Sequence, residues 1–476
     1  MSKRRANTPR TATSPRNAHG RHHLFPSFAA DDGNALEVVL EQLEQSQWQR
    51  PEQIQQRQWE QFSLLFDVLR TRSEFYKRRF RQAGMTKATD ITSENWRRLP
   101  ILTRQQLQSG TDTIKLAKPP AGHRRLGMAM TSGSTGTPVR VATTDSTRLL
   151  WQAFVMREHL WQQRDFSARL GAIRHFGGEV EARYPHGVQL ADWGPPVNRL
   201  YRSGPGMALD IHTDPAQQLE WLRRCRPGYL VTFPSNAAAI AALSLQDGAG
   251  MPGLKGVRLL SEPVDEVLRE SIRTAWGVGV SDSYSAQETG ALAIQCPEFP
   301  HYHVQSENVL LEVVDDECRP CRPGEVGRVL VSTLHNFAMP LLRYEIGDFA
   351  EVGEPCPCGR GLPVLRRILG RVRNMLTLPD GSRHWPSLAA TFYREVAPVI
   401  QHQLVQHDVN DIEARLGVER PLTAGEEGLL RDMIAARLGY PFAVRISFCD
   451  TIERSTAGKF EEFLSLVDRQ SLPPGE

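Results

Sequence analysis

Between Ala35 and Ala83, apolar positions recur at helical spacing in a background rich in Gln, Glu and Arg, which predicts helices with few breaks. The stretch "EQFSLLFDVLRTRSEFYKRRFRQAG" closes on Gly84, a residue suited to a helix C-cap. "LPILTRQQLQ" places Thr103 to cap a short helix. "LGMAMTSGSTGTPVRVATT" reads as strand, polar loop and strand, with Val139, Val141 and Thr143 alternating. From Arg148 to Leu260 helical and strand-like stretches alternate. "QLEWLRRCRPGYLVTFPSNAAAIAALSLQ", for example, gives a helix, the buried strand "YLVTF", a turn and another helix. From Val304 to Val352 the texture changes to strands and turns, as in "NVLLEVVDD", "GEVGRVLVSTL" and "PLLRYEIGDFAEV". After "ILGRVRN" the last segment carries strands and helices of its own, and no internal repeat is found.

This pattern predicts an α/β fold in three parts: a tail over residues 1–31, a large layered α/β domain over 32–370, and a small α+β domain over 371–476. Composition refines it little. Charged residues are 23% and hydrophobic ones 40% of the 476, ordinary globular usage. No apolar run of about 18 residues is present, so no membrane partner is expected. The net charge of +3 gives no reason to expect nucleic acid as a partner. The exception is the start, "MSKRRANTPRTATSPRNAHGRHH", whose basic, Pro- and Ser-rich composition reads as a solvated, disordered tail or a basic interaction arm. It lacks the apolar middle of a secretory signal, and a cytoplasmic protein is expected. Four of the seven cysteines form two close pairs, Cys318/Cys321 and Cys356/Cys358, which point to metal or redox chemistry before disulfides.

"TSGSTGTPVR" is where candidate chemistry starts. A Ser/Thr/Gly loop after a strand exposes backbone N–H groups and hydroxyls that suit an anion such as phosphate. It lacks the GK[ST] ending of the common P-loop, and a flexible surface loop is the plain alternative. Its companions matter more: "SEP" at Ser261–Pro263, "YSAQETG" ending an apparent strand, "LLRYEIGD" with Asp348 in a Gly turn, "ILGRVRN" at the domain join, and "RSTAGKF" with Lys459 after a flexible turn.

In order and spacing this set resembles the adenylate-forming superfamily of acyl- and aryl-CoA ligases and adenylation domains. Within it, the chain is most similar to the phenylacetate–CoA ligase family. The resemblance runs from about Arg72 to Val467 and includes "RSEFYKRRFRQAG", "LPILTRQQLQ" and "CPCGRGLPVLRRILGR". It implies the adenylate-forming fold and a two-step reaction: ATP and a carboxylate give an acyl-adenylate and pyrophosphate, and a nucleophile then displaces AMP. The resemblance also implies roles. Thr131, Ser132, Gly133, Ser134, Thr135 and Gly136 wrap the ATP phosphates. Glu288 helps hold Mg²⁺, and Tyr284 and Ser285 lie beside the adenine and acyl sites. Ser261, Glu262 and Pro263 form the adenine-side turn, Asp348 binds the ribose hydroxyls, Arg371 sits at the hinge, and Lys459 bridges carboxylate and α-phosphate oxygens. Lys459, Glu288 and Thr135 are the expected catalytic residues. The residue types suit a carboxylate attacking a phosphate, where positive charge must offset like-charge repulsion.

Two features qualify the resemblance. Many relatives carry an acidic pair after the hinge Gly-Arg, whereas Val372, Arg373 and Asn374 follow Arg371 here, and "MLTLPDGSRHWPS" differs from the usual Gly-rich passage. The small domain rotates between half-reactions in this superfamily, so the acceptor stays open: CoA first, with an amine, a carrier-protein thiol or a non-catalytic nucleotide-binding role as alternatives. Some members of the family also hold a structural zinc. The resemblance assigns Cys296, His303, Cys356 and Cys358 as its ligands, with His301 as substitute for His303. Thiolate and imidazole suit tetrahedral Zn²⁺, although "CRPC" at Cys318–Cys321 has the more usual spacing. For the acyl pocket of a small carboxylic acid, aryl or arylacetic, the candidate walls are Trp151, Phe154, His175, Phe176 and Phe233, although core is the more frequent place for each such residue and His175 reads as structural before catalytic. A homodimer is compatible with the sequence.

Overall fold

The computed structural model describes residues 23–27, 34–121, 123, 125–130, 138–176, 181–386, 390–455 and 458–467. Helices Ala35–Ser46, Pro51–Arg72 and Glu74–Gln82 occupy the segment of helical spacing. The third is capped by Ser73, whose Oγ accepts from the Tyr76 N–H at 3.2 Å, and the chain leaves it through Gly84 at φ 74°. Thr103 caps the helix Arg104–Ser109, accepting from Gln106 N at 3.2 Å, while Gln106 Oε1 accepts from Thr103 N at 3.1 Å.

The large domain is built on two sheets. Strands β1 (Arg125–Met130) and β2 (Arg140–Thr144) pair antiparallel, with Met130 opposite Arg140. The strands β3 (Leu170–Arg174), β4 (Val188–Leu190), β5 (Gly206–Asp210), β6 (Tyr229–Thr232), β7 (Gly256–Leu259), β8 (Val280–Ala286), β9 (Gly290–Gln295), β10 (Tyr302–Val304), β11 (Val309–Val314), β12 (Val326–Thr333), β13 (Tyr344–Val352) and β14 (Val364–Arg371) form one mixed sheet. Their order is β11-β12-β13-β14-β10-β9-β8-β7-β6-β3-β5-β4. The run β8-β7-β6-β3-β5 is parallel and the rest antiparallel, matching the change of texture along the chain. The parallel strands are apolar because they are covered, with Ile173, Leu209, Leu230, Val257 and Leu259 all buried. Connecting helices Pro215–Cys225, Pro234–Asp247 and Glu266–Trp276 supply Leu219, Trp221, Ile240 and Ile272 to that core.

β14 ends at Arg371, so this residue belongs to the large sheet, and a turn Val372–Asn374 follows. The small domain has a sheet of β17 (Val399–Asp408), β18 (Asp411–Val418), β19 (Ala443–Phe448) and β20 (Phe463–Ser465), preceded by the short pair β15 (Leu376–Thr377) and β16 (Arg383–His384). Helix Ala424–Leu438 lays Leu430, Ile434 and Leu438 on that sheet beside Leu404, Ile412 and Leu416. Thr423 and Glu426 cap its start, and Gly439 at φ 74° ends it.

The reading of residues 1–31 as one solvated tail is corrected at residues 23–27. Phe25 is buried, Leu24 N donates to Gln61 Oε1 at 2.8 Å, and His23 contacts Ser146 Oγ at 3.1 Å and His335 Nδ1 at 2.8 Å. One aromatic and one imidazole with buried partners are enough to pin a short segment whose average composition is that of a tail. Among the described residues, no helix is long and apolar enough to cross a membrane.

Candidate active site

The loop residues Thr131, Ser132, Gly133, Ser134, Thr135 and Gly136 lie outside the described residues. The strands on either side of them do not. Ala129 of β1 and Val141, Ala142 and Thr143 of β2 line a cavity of about 390 Å³, whose other walls are Thr147, Arg148, Trp151, the Ala286–Ala291 turn, Asn308, Thr333, His335 and Asn336. The β8–β9 hairpin pairs Ala286 with Gly290, which puts Glu288 at its tip and in the cavity wall. Glu288 is only 5% exposed. Burial raises its pKa, opposed by its own backbone N–H, Arg104 and Arg371. Arg104 Nη1 lies 3.7 Å from Glu288 Oε1, and the Tyr344 hydroxyl donates to the same oxygen at 3.4 Å.

Asp348 on β13 faces Arg371 on β14 as a register partner, with Arg371 Nε 3.4 Å from Asp348 Oδ1. From β8, the Tyr284 hydroxyl donates to Asp348 Oδ2 at 2.7 Å. Burial and the neighbouring Asp348 carboxylate push the Tyr284 hydroxyl well above its usual pKa, so it stays a donor. A carboxylate has about four lone-pair directions, so Asp348 retains acceptor capacity for sugar hydroxyls. Ser285 follows at an exposed position.

Lys459 lies in the small domain, on a turn that packs on the large domain at Ile211 and Phe233. Its turn is closed by Ser455, whose N–H donates to the Lys459 carbonyl at 2.8 Å and whose Oγ accepts from Lys459 N at 3.1 Å. Burial lowers the lysine pKa, the positive Arg371 lowers it further, and Asp348, Glu262 and Glu288 oppose them. The ammonium therefore sits in the combined field of the residues named from the sequence. Gly458, at φ 81°, fits closely here: a Cβ would meet Ile211 Cγ2 at 3.2 Å and Phe233 Cε2 at 3.3 Å.

In the turn Ser261–Pro263, expected from the sequence on the adenine side, Ser261 has φ 71°, and Ser261 and Pro263 are exposed. Glu262 spans the domain join. Its Oε2 accepts from Ser235 N at 2.9 Å, its Oε1 accepts from Phe460 N at 2.7 Å, and Arg454 Nη1 lies 3.7 Å away. Arg454 Nη1 also donates to Ser235 Oγ at 2.9 Å.

A second cluster lies at β9 and β10. One ligand atom each from Cys296, His303, Cys356 and Cys358 falls within 4.8 Å of all the others. Cys296 Sγ is 3.9 Å from Cys356 Sγ, and Cys358 Sγ is 3.4 Å from His303 Nε2. A tetrahedral Zn²⁺ with ordinary bond lengths separates two sulfurs by about 3.8 Å and sulfur from nitrogen by about 3.6 Å. The four residues fit that ion. His301 instead places Nε2 3.0 Å from Cys356 Sγ and stands outside the set. Cys318 and Cys321 sit in the β11–β12 connection and join no such group among the described residues.

The model of the CapK C-terminal domain matches residues 378–465. A phenylacetate–coenzyme A ligase of Thermus thermophilus is 26% identical over 81% of this chain and 86% of its own length. Protein CapK of Staphylococcus aureus is 22% identical over 84% and 86%. Among solved structures, 2-hydroxyisobutyryl-CoA ligase in the postadenylation state with 2-HIB-AMP superposes with a TM-score of 0.65 at 18% identity, covering 87% of this chain and 90% of that one. The fold is that of the adenylate-forming ligases. The same ligase in its thioesterification state gives a TM-score of 0.54 over the same shares.

Within the adenylate-forming fold, the aromatics offered as acyl-pocket walls separate. Trp151 lines the cavity. Phe154 is core beside Leu36 and Leu43, and Phe233 belongs to the core of the parallel strands. Phe176 lies under Arg174, with the guanidinium 5.0 Å from its ring, and His175 turns to Asp210. For these four the core or surface role that the sequence also allowed is the one in view, because an aromatic at a strand end or in a helix carries no mark of which face it serves. Arg104 is the residue missed. It lay in a motif read only for its cap, and a cation directly after the cap was the available signal.

Proposed function

We propose that the chain activates a carboxylic acid with ATP and transfers the acyl group to CoA. A carboxylate oxygen bonds to the α-phosphorus, the bond to the β-phosphate oxygen breaks, and pyrophosphate leaves. The CoA thiol sulfur then bonds to the acyl carbon, its proton is lost to solvent, and AMP departs. The observation that carries this reading is the docking of the Lys459 turn onto the large domain, through Phe460 N on Glu262 and Gly458 against Ile211 and Phe233, where the Asp348 and Glu288 carboxylates and Arg371 act on the lysine's charge.

Each group has a task in that scheme. Asp348, held by Tyr284 and Arg371, orients the ribose. The Thr131–Gly136 loop wraps the phosphates. Lys459 balances charge on the carboxylate and α-phosphate as they approach. Glu288 offers one carboxylate at the cavity wall, which fits Mg²⁺, an ion held by one or two carboxylates with phosphate oxygens. When bound, Mg²⁺ supplies charge neutralisation at the leaving phosphates. Zn²⁺ on Cys296, His303, Cys356 and Cys358 is structural: the cluster is closed, with four protein ligands. Trp151 in the cavity wall favours an aryl or arylacetic acid. ATP and CoA as co-substrates and seven free cysteines suit a cytoplasmic protein.

ATP–pyrophosphate exchange across a panel of carboxylic acids tests the first step, followed by CoA and amines as acceptors. Acid-dependent exchange that Lys459→Ala lowers by at least about 100-fold, the scale of one lost oxyanion donor, supports the reading; exchange that persists in that variant refutes it. An amide product in place of a thioester would shift the acceptor, as the unusual hinge sequence allows.

A further inference from the structure

A second set of ligand-type side chains lies away from the cysteine cluster, at the carboxyl ends of β3 and β5. These strands are parallel neighbours, with Arg174 opposite Asp210, and Ile211 N donates to the Arg174 carbonyl at 3.3 Å, carrying the ladder one residue further. Thr213 N then donates to the Asp210 carbonyl at 3.2 Å, turning the chain so that His212 comes back over Asp210. His175 follows β3 directly. Asp214 fixes the far side of the turn by capping the helix Pro215–Cys225. The result is convergent: His212 Nδ1 is 2.8 Å from Asp210 Oδ1, His175 Nδ1 is 3.9 Å from Asp210 Oδ2, and the two imidazoles meet edge to face with centroids 5.8 Å apart. One ligand atom from each of the three residues lies within 4.8 Å of the other two.

We infer that His175, Asp210 and His212 bind a divalent first-row transition ion such as Zn²⁺, Co²⁺ or Ni²⁺. Two imidazoles and one carboxylate are the donors such ions prefer, whereas Mg²⁺ and Ca²⁺ demand oxygen throughout. Asp210 ends β5, His175 directly follows β3, and His212 N donates to Asp210 Oδ1 at 2.9 Å, so little ordering is required. The side chains are 37%, 30% and 51% exposed in the order His175, Asp210, His212, which leaves coordination positions open to water or an incoming ligand. That is the reverse of the cysteine cluster, where four protein ligands close the shell. The location matters too. Ile211, between two of the ligands, is the residue against which Gly458 sits, so an ion here borders the turn that carries Lys459. The carboxyl edge of parallel strands is also where ligands of open α/β sheets bind. This site stands independently of the adenylation chemistry.

The test is titration of the chelator-stripped full chain with Co²⁺, followed by calorimetry and visible absorption, in the wild type and in Cys356→Ser, His175→Ala, His212→Ala and Asp210→Asn. The wild type should bind an equivalent without thiolate-to-cobalt absorption. His175→Ala and His212→Ala should weaken that equivalent by more than about tenfold, the lower end of losses seen even for outer ligand-orienting groups, and Asp210→Asn should weaken it less. Cys356→Ser should leave it in place. Circular dichroism checks that the variants, changed at partly exposed positions, remain folded. Binding confined to the thiolate cluster, or nitrogen–oxygen binding untouched by both histidine variants, overturns the inference.

Discussion

Glu262→Ala should separate the two half-reactions. The Glu262 carboxylate holds the Lys459 turn in place: Oε1 accepts from the Phe460 N–H at 2.7 Å, while Arg454, also from the small domain, lies 3.7 Å off. The bond from Ser235 N lies within the large domain and does not change on undocking. A hydrogen bond to a charged group contributes about 1.5–3 kcal/mol. The Arg454 head group, 14% exposed, loses its nearer carboxylate as well. Together these put the loss of docking free energy at about 2–4 kcal/mol, or on the order of 30- to 1000-fold in the docked population.

The assay is pyrophosphate exchange in parallel with release of AMP from a supplied acyl-adenylate and CoA. Exchange should fall by about 30-fold or more, in kcat more than in the KM for ATP, while the second step changes by less than about threefold. Glu262→Gln keeps an acceptor for Phe460 N but loses the charge, and should fall between. Exchange within about twofold of wild type would refute the docking argument. An equal loss in both steps would also refute it, because it would indicate general destabilisation.

Three other perturbations test separate contacts. Gly458→Ala forces a left-handed residue, at about 1–2 kcal/mol, against Ile211 and Phe233, and should lower exchange by roughly 5- to 30-fold with an unchanged far-ultraviolet spectrum. Cys356→Ser should remove one equivalent of zinc by elemental analysis and lower the thermal midpoint; an unchanged zinc content would exclude this ligand set. Burial, with Glu262 and Asp265 adding to it, pushes the Glu462 carboxyl up to about 8 from the 4.5 usual for glutamate. Its protonated form therefore suits the docked state. Docking is strongest at low pH and should weaken as pH rises from about 4.5 through about 8, a trend read by limited proteolysis at Val372–Asn374 and flattened in Glu462→Gln.

The layers were legible because periodicity survives in the sequence: short apolar strands between helices over one half, alternating strands over the other. The candidate site was legible as a set of residue types, since Asp348, Arg371 and Lys459 each follow a glycine and Glu288 lies two residues before one. Their partners were not. The register that sets Asp348 opposite Arg371, and the approach of Arg104 to Glu288, depend on long-range strand order that no local pattern encodes. Arg104 is delivered by a short backbone bridge, in which Leu102 N donates to the Arg343 carbonyl at 2.9 Å and Glu345 N to the Leu102 carbonyl at 3.0 Å. Nothing in "LPILTR" announces that pairing. His23–Ser27 was hidden for the opposite reason: a composition average over the tail conceals a single buried Phe25.

The contacts divide in a way that bears on the order of the reaction. Tyr284, Asp348 and Arg371 hold one another entirely within the large sheet. The Lys459 turn is closed on itself by Ser455, but the contacts that seat it cross the join: Phe460 N to Glu262, Arg454 to Ser235, and Gly458 against Ile211 and Phe233. The hinge divides the same way. Arg371 is paired on β14, whereas Arg373 is engaged by Glu461 and Asn374 Nδ2 donates to the Phe463 carbonyl at 2.7 Å, both in the small domain. The pivot therefore falls between Arg371 and Arg373. On the proposed scheme, a rotation there withdraws Lys459 and leaves Tyr284, Asp348 and Arg371 in place, so that an adenylate made in the first step stays held while the acceptor arrives for the second.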